Sequence, residues 1–540
     1  MPPVRQFAYR RSPDQDARIA AHRPVVIVGA GPVGLTLALD LARRAVPVVL
    51  IDDSDRIGEG SRAICFAKRT LEIFDRFGLA EAMVARGVTW KTGKVFRGNE
   101  QLYAFDLQPE PGHKQPAFIN LQQYHVEMAL VAAAEVEPLI ELRWSNRLAG
   151  LVLRKDGALL TIATPEGDYR LEADWVVACD GARSPTRGLL GLPFLGEAFA
   201  DKFLIADVRM AVDFPPERWF WFAPSFHNGQ SALLHKQPDD IWRIDLQLSP
   251  EADPERERRP ENVRPRIEQM LGHGDFALEW VSVYRFQCRR LERFVHGRVI
   301  FAGDAAHQVS PFGARGANSG IQDADNLGWK LALVVKGTSP VSLLDSYDSE
   351  RVEAAEDNIL HSTRATDFIA PRSPGERVLR DAALSLAATG AFGAFFVNSG
   401  RLSRPTAYRD SPLSTPDEAF AGGVPPGAPF EDAPLLACGG PHLWLSETLR
   451  DGRPVLLSYG GGEGRKLGSA GVVEVTVPAV LRQRNSGAVD DPETILPQRY
   501  AMAPGDAVVL RPDGHVAARF HDPTRESVAA AVARLEGRAP

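Results

Sequence analysis

An α/β fold built on a parallel sheet and interrupted by a mainly antiparallel one is the class this sequence predicts, and three observations predict it. Val25-Val26-Ile27-Val28, Trp175-Val176-Val177-Ala178 and Val299-Ile300-Phe301 are short apolar runs of the kind buried inside a parallel sheet. Each runs directly into a cluster of glycine and acid: Gly29-Ala30-Gly31-Pro32-Val33-Gly34, Cys179-Asp180-Gly181 and Gly303-Asp304-Ala305-Ala306-His307. Between Phe203 and Phe286 the texture alternates and turns aromatic, as in Arg218-Trp219-Phe220-Trp221-Phe222 and Ile241-Trp242-Arg243-Ile244-Asp245-Leu246. That period of two predicts a half-exposed, largely antiparallel sheet.

In chain order, residues 1–23 form a polar extension to which no task is assigned. The strand ending at Val28, a helix over Leu35 to Arg44 and the strand Val48 to Ile51 make a βαβ start. Leu171 to Ala178 and Arg298 to Phe301 are two further strands. The expected division is a discontinuous nucleotide-binding domain over 24–200 and 287–403, which includes part of the second sheet near 90–120. A substrate-side domain occupies 201–286. Prolines and glycines accumulate over 404–435, which reads as a linker. Residues 436–540 form a small C-terminal α/β domain, with strands at Val455 to Leu457, Val472 to Val477 and Ala507 to Leu510.

Composition narrows the function classes. A chain of 540 residues predicts two to four domains. The formal charge of -7, with no block of five Lys or Arg, speaks against a nucleic-acid partner. Cys65, Cys179, Cys288 and Cys438 are scattered without metal-like or redox spacing, so reduced thiols in a cytoplasmic protein and no metal site are expected. Met1 to Arg23 has no apolar core of a secretory signal. Ala382 to Gly400 carries no charge but includes Ser385, Thr389, Gly390, Gly393 and Asn398, which predicts a helix at a domain or subunit interface and not a membrane span.

The clusters carry the chemistry. Gly29 permits the tight turn leaving the strand, Gly31 lets the backbone approach a pyrophosphate, and Gly34 lets the helix pack against the sheet. At Pro32 and Val33 the helix start offers its positive dipole end to phosphates, with unpaired N–H groups from Val33 onward. Asp52 follows the second strand at the distance expected for a carboxylate accepting from ribose hydroxyls, with Asp53 as the alternative. Asp304 is expected to hold ribityl or ribose hydroxyls. All three clusters fall at strand C-termini, where open α/β sheets bind ligands, and together they outline one FAD site.

Cys179-Asp180-Gly181 through Arg187 resembles the DG motif of the single-component FAD-dependent aromatic hydroxylases (group A flavoprotein monooxygenases), in which it serves FAD and NAD(P)H binding. Gly303 through Gly320, followed by Asp323 to Leu331, is similar to the longest signature of that family. Arg62, in Ser61-Arg62-Ala63, and Gln123, ahead of Glu127 and Leu130, stand where relatives contact FAD; Tyr347 and Glu350-Arg351 complete the pattern. The C-terminal part, including Arg511-Pro512-Asp513-Gly514, resembles the thioredoxin-like appendage of the phenol and 3-(3-hydroxyphenyl)propionate hydroxylase branch. It has no CxxC, so support of the structure or of a dimer is its expected role.

The resemblance implies a glutathione-reductase-like FAD-binding Rossmann fold with an inserted, mainly antiparallel β-sheet substrate domain and a C-terminal thioredoxin-like domain. It implies that NAD(P)H reduces FAD, that reduced flavin captures O2 as a C4a-hydroperoxide, and that the distal oxygen passes to a phenolic ring. A cytoplasmic homodimer is expected, acting on a monocyclic phenol with or without a carboxylate. FAD contacts are expected at the first cluster, Asp52, Asp53, Arg62, Ala63, Gln123, Asp180, Gly181, Asp304, Pro311, Gly316, Ala317 and Asn318. Arg315 would supply positive potential near the isoalloxazine, and Pro311 with Gly313 would shape the wall of the ring pocket. Arg243 is either a bidentate clamp for a substrate carboxylate or a structural ion-pair member. His235 and His227 are base candidates or ordinary strand histidines. Ile64-Cys65-Phe66 stands where some relatives place Asp or His, which speaks against a base on that strand.

Four other readings are open. Trp219-Phe220-Trp221-Phe222-Ala223-Pro224 is similar to a segment of flavin-dependent halogenases, with Arg218 and Ala223 departing from the pattern. Tyr459 through Gly468 could be a second dinucleotide fingerprint, but no βαβ continuation follows it and a loop is expected. An FAD-dependent dehydrogenase, or a non-catalytic binding protein on the same fold, would keep the nucleotide site without oxygen chemistry.

Overall fold

The computed structural model describes residues 5–58, 62–227, 229–397, 402–418, 420–435, 443–460, 467–468, 471–477 and 492–538. Ser61, Asn398, Cys438 and most of the glycine-rich run after Tyr459 lie outside the described residues.

The first apolar run closes the strand Ala21–Val28, which pairs in parallel with Val48–Ile51 on one side and Gly167–Ala178 on the other. Val299–Phe301 adds to the latter and Ile140–Arg143 to the former, both in parallel. Helices cover the centre of this sheet, which is why Val25–Val28, Val48–Ile51 and Trp175–Ala178 are apolar on both faces. Among them, Pro32–Arg43 packs against Gly316–Val335 and Gln123–Val136.

A second sheet runs in the order His307–Gln308, Ala277–Arg290, Leu195–Arg209, Ile241–Leu248, Ala232–Lys236, Arg218–Phe222, Thr92–Arg97, Glu100–Asp106. Its pairings are antiparallel except that between Arg218–Phe222 and Thr92–Arg97. The strands Leu195–Arg209 and Ala277–Arg290 run past both limits expected for the inserted unit. The expectation of a half-exposed sheet holds toward its edges, but in the central strands Leu195–Arg209, Ala232–Lys236 and Ile241–Leu248 the alternation separates two buried faces. Val263 and Ile267 of the helix Pro260–Leu271 pack on Leu204, Ala206, Trp242 and Ile244. The opposite face presents Phe203, Phe220 and Leu233, which join Phe286 and Phe312 in a separate cluster.

The extension at the N-terminus is part of the fold. Phe7 stacks on Trp144 with ring centroids 4.2 Å apart, and Asp14 pairs with Arg143 and Arg23. The uncharged stretch forms the end of the helix Pro374–Ala387 and, after Gly390 at φ +159°, the short helix Ala391–Ala394. Phe392 and Phe395 project from it at 70% and 87% exposure. No helix among the described residues is long and apolar enough to cross a membrane.

Near the C-terminus, Val473–Val477, Val455–Tyr459, Ala507–Leu510 and Val516–Phe520 form a four-stranded sheet. Its first pair is parallel and the other two antiparallel, with the helices Pro492–Tyr500 and Arg525–Leu535 completing the unit.

Candidate functional site

A cavity of about 1120 Å³ opens where the strand-end clusters of the parallel sheet face the second sheet. It exceeds the roughly 300–1,000 Å³ usual for one drug-sized ligand, so a dinucleotide and a second small molecule can share it.

At its nucleotide end the glycines divide their work. A Cβ on Gly29, whose φ is +105°, would stand 2.4 Å from the Cys179 carbonyl oxygen, and one on Gly34 would stand 2.0 Å from that of Gly29. Both are therefore packing glycines. Gly31 has an ordinary φ of -77° and no atom within 4 Å of such a Cβ, so it faces open cavity. It is also the N-cap of Pro32–Arg43 and provides no side-chain cap, leaving the first helical N–H groups to a ligand.

Asp52 holds this turn in shape. Its Oδ2 accepts from the Ala30 N–H at 2.7 Å and its Oδ1 from the Ser54 N–H at 2.8 Å. Burial nonetheless pushes the carboxyl up to about 6. Asp53 beside it is exposed on the cavity wall. Arg62 is likewise exposed there. Gln123 fixes the next residue: its Oε1 accepts from the Ala63 N–H at 3.0 Å while its Nε2 donates to Glu127 at 2.7 Å.

The third cluster rests on a buried acid. Asp323 accepts from the Gly303 N–H at 2.8 Å, from His307 at 2.7 Å and from Arg351 at 2.6 Å. With Gly303 at φ +63°, this pins the turn so that Asp304 faces the cavity, where its carboxylate meets no hydrogen-bond donor among the described residues. Its exposed surface is cavity and not bulk solvent, and desolvation holds it above the ordinary carboxylate value against the pull of His307 and Arg62. Gly316 and Ala317 then open the helix Gly316–Val335, a second helix start at the cavity without a side-chain cap.

Asp180 acts from behind the wall, and Asn318 is part of it. Asp180 accepts from the Thr186 N–H at 2.9 Å, and Gly181, with φ +74°, is the residue of that pair that reaches the cavity. The Asn318 side chain bonds Ala67 N–H, Thr70 Oγ1, Cys65 O and Ala314 O at 2.6–2.9 Å, joining the strand Cys65–Ala67 to the helix start. Two uncapped helix starts, the opening at Gly31 and the unpartnered Asp304 fit the phosphates and polyol of FAD.

The far end is the face of the second sheet. Cross-strand register places Arg218, His235, Arg243 and Asp207 in one row. Phe220, Leu233, Asp245 and Ile205 form the next row on the same face. Arg243 is a member of a structural ion pair: its Nε and Nη2 bond Asp207 at 2.8 and 3.0 Å, which rules against a free carboxylate clamp. His235 borders the cavity, its Nδ1 buried without a partner among the described residues. Burial first, then Arg218 and Arg243, hold it far below the ordinary histidine value, so it is a neutral imidazole and a weak base.

His227 donates from Nε2 to the Gln247 carbonyl oxygen at 2.6 Å and stands off the cavity wall, which corrects its candidacy as a base. Arg315 is buried on the wall and donates to Asn358 at 2.6 Å; Pro311 and Gly313 line the same loop. Trp219 and Trp221 point to the opposite face, against Phe96, which removes the halogenase-like segment from the site. Asp245 was visible in the sequence only as a neighbour of Arg243. It borders the cavity, is pushed up to about 6 by burial, and has a buried Oδ1 without a hydrogen-bond partner among the described residues.

Comparison with known proteins agrees with this geometry. A family model described as an FAD binding domain matches residues 22–362. The chain is 33% identical over 527 residues to 6-methylpretetramide 4-monooxygenase of Streptomyces rimosus, covering 92% of this chain and 90% of that protein. It is 31% identical over 359 residues to 3-(3-hydroxy-phenyl)propionate/3-hydroxycinnamic acid hydroxylase of Mycolicibacterium smegmatis, covering 66% and 63%. The solved structure of the flavin-dependent monooxygenase PieE in complex with FAD and substrate shares the fold, with a TM-score of 0.79 at 23% identity over 96% of this chain and 99% of that one.

Proposed function

The chain belongs to the FAD-binding family of aromatic hydroxylases, and from that premise we propose that it hydroxylates a phenolic ring at the expense of NAD(P)H and O2. One observation carries the reading. A single cavity is bordered at one end by the three strand-end clusters and at the other by an aromatic sheet face with buried polar groups.

When bound, FAD supplies hydride acceptance and the activation of dioxygen. This chain's residues supply position. The helix starts at Gly31 and Gly316 receive phosphate charge, and Asp52, Asp53 and Asp304 are the acceptors for ribose and polyol hydroxyls. Arg315, buried beside the Pro311–Ala314 loop, places fixed positive charge at the ring end of the cofactor site. Phe203, Leu233 and Phe286 wall the aromatic ring and exclude water.

The site suits a single-ring or larger hydroxylated aromatic, oriented by Asp245 and His235 at the sheet face. NAD(P)H would bind transiently along the surface near Arg183 and Gln308, since the described residues hold one parallel nucleotide-binding sheet. A homodimer belongs to the same reading, and the projecting Phe392 and Phe395 support it. So does a cytoplasmic location, which the buried free thiols of Cys65, Cys179 and Cys288 support.

The test is a purified protein and a panel of phenols. The reading requires a yellow protein whose NAD(P)H oxidation is stimulated by a phenol, with oxygen consumed and one oxygen atom gained by the product. Flavin reduction without oxygen consumption would make it a dehydrogenase, and a colourless protein that takes up no added FAD would sink the reading.

A further inference from the structure

The charged side chains packed around Asp245 at the sheet end of the cavity balance one another. Arg243 is matched by Asp207 through two hydrogen bonds. Arg218, in register with His235 on the adjacent strand, is buried, and Asp245 is the cavity carboxylate whose charge acts on it. His235 is neutral, held far down by burial and by the two arginines. Ionised Asp245 therefore brings the group to zero net charge.

Asp245 also lacks what a buried carboxylate needs. Its Oδ1 is sealed from water and has no hydrogen-bond partner among the described residues, while the side chain borders the cavity. Its Oδ2 keeps surface toward the cavity and no hydrogen bond from a described residue reaches it, so it is the oxygen a ligand can address. A ligand hydroxyl donating to Oδ2 would give this carboxylate the hydrogen bond that no described residue supplies.

Resting on the phenolic reading above, we propose that Asp245 accepts a hydrogen bond from a ring hydroxyl of an uncharged substrate and denies this end of the cavity to a carboxylate. The hydroxyl donates and the carboxylate accepts, which raises electron density on the ring without a bond being broken. A substrate carboxylate placed here would be an unmatched buried anion beside another anion. The monocyclic phenolic acid allowed by the sequence is thereby disfavoured at this end.

The charge that changes with pH is identifiable. Around Asp245 are Arg243 on its own strand, Asp207 and His235 on the two adjacent strands and Arg218 one strand further, with Cys65 of Cys65–Ala67 and Tyr284 of Ala277–Arg290 on the same cavity wall. Cys65 is pushed up to about 12 by burial, and Asp245 sits at about 6. Below that pH the group gains a positive charge and should admit an acid.

The test uses the FAD-loaded full chain and hydroxylated aromatics in matched pairs, each a primary amide and its carboxylate, such as 3-(3-hydroxyphenyl)propionamide and 3-(3-hydroxyphenyl)propionate. Kd is read from the perturbation of the bound flavin's visible spectrum. In the wild type at pH 8 the amide should bind at least about tenfold more tightly than the acid. That preference should shrink as pH falls through 6, a readout that needs no variant. D245N, which keeps the shape and removes the charge, should erase or invert the preference while leaving FAD content unchanged. A preference for the acid at pH 8, or a Kd ratio that neither pH nor D245N moves, overturns the inference while the phenolic reading stands. If the wild type binds no member of the panel, the phenolic reading fails and the inference falls with it.

Discussion

Arg511, in a turn of the C-terminal sheet, grips Glu350 of the long helix Leu343–Ile369 with two nitrogens, at 2.7 and 2.9 Å, and neither side chain is exposed to water. Asp513 takes the other edge of the guanidinium and accepts from Asn326 and Trp329 of the helix that opens at the cofactor site. Lys330, on that same helix, closes the network on Glu350 at 2.7 Å. The C-terminal unit is thus bolted to the back of the helix whose start faces the cavity.

Arg511→Met should therefore destabilise the protein by about 3–5 kcal/mol, because it leaves Asp513 and part of the charge on Glu350 buried without a match. Denaturant unfolding checks the magnitude. FAD release should rise in parallel, since Asn326 and Trp329 lie on the cofactor helix. A variant as stable as the wild type would mean that the network contributes nothing to docking.

The same pair sets an acid limit. Although burial opposes it, the Arg511 and Lys330 charges hold the Glu350 carboxyl well below its ordinary value of 4.5. A depressed carboxyl contributes its full stabilisation above 4.5 and loses it as pH falls from there toward the folded value. Stability of the wild type should decline below pH 4.5, and Arg511→Met should flatten that decline. Parallel acid titrations followed by circular dichroism decide it; identical midpoints and slopes would rule Glu350 out.

Gly31 and Gly34 separate cofactor contact from packing. Gly31→Ala meets no protein atom within 4 Å and needs no unusual φ, so the variant should unfold at the wild-type temperature. Its methyl projects into the space assigned to the pyrophosphate, and FAD affinity should fall at least about tenfold, or ~1.4 kcal/mol. Gly34→Ala collides with the Gly29 carbonyl and should lose stability first and flavin as a consequence. Fluorescence titration of FAD beside thermal unfolding distinguishes the two; equal loss of stability in both variants would contradict the division.

The legibility of this site in sequence follows the range of the interactions. Strand ends, turn glycines and Asp52 are local features, so Gly29, Gly31, Gly34 and Asp304 could be read from their neighbours. Asp180 and Asn318 are equally plain in the sequence, but which way a side chain turns depends on donors 6 and 251 residues away, Thr186 and Ala67. Asp245 was passed over because alternation within one strand carries no record of His235 on the adjacent strand or of Arg218 on the one beyond it. The buried second face of that sheet's central strands was missed for a related reason: alternation marks two different faces, and only the helix Pro260–Leu271 shows that neither is wet there. Phe7 and Asp14 gave no periodic signal in the leader, where their partners Trp144 and Arg143 are over a hundred residues distant.

Arg315 offers the last test, on the electronic side of the site. Its guanidinium is buried, donates to Asn358 at 2.6 Å, and forms part of the wall between the Pro311–Ala314 loop and the helix start at Gly316. A fixed charge in a water-poor site favours a nearby anion more strongly than it would in water. Reduced flavin in its anionic form is such an anion, so the arginine should raise the two-electron potential of the bound cofactor. Arg315→Met keeps much of the volume and removes the charge. The potential should fall by on the order of 30 mV, equivalent to ~1.4 kcal/mol for two electrons. Redox titration against a reference dye, at matched FAD content, measures it directly. An unchanged potential with normal flavin loading would show that the charge is fully absorbed by Asn358 and its surroundings, and that Arg315 serves only to hold the loop.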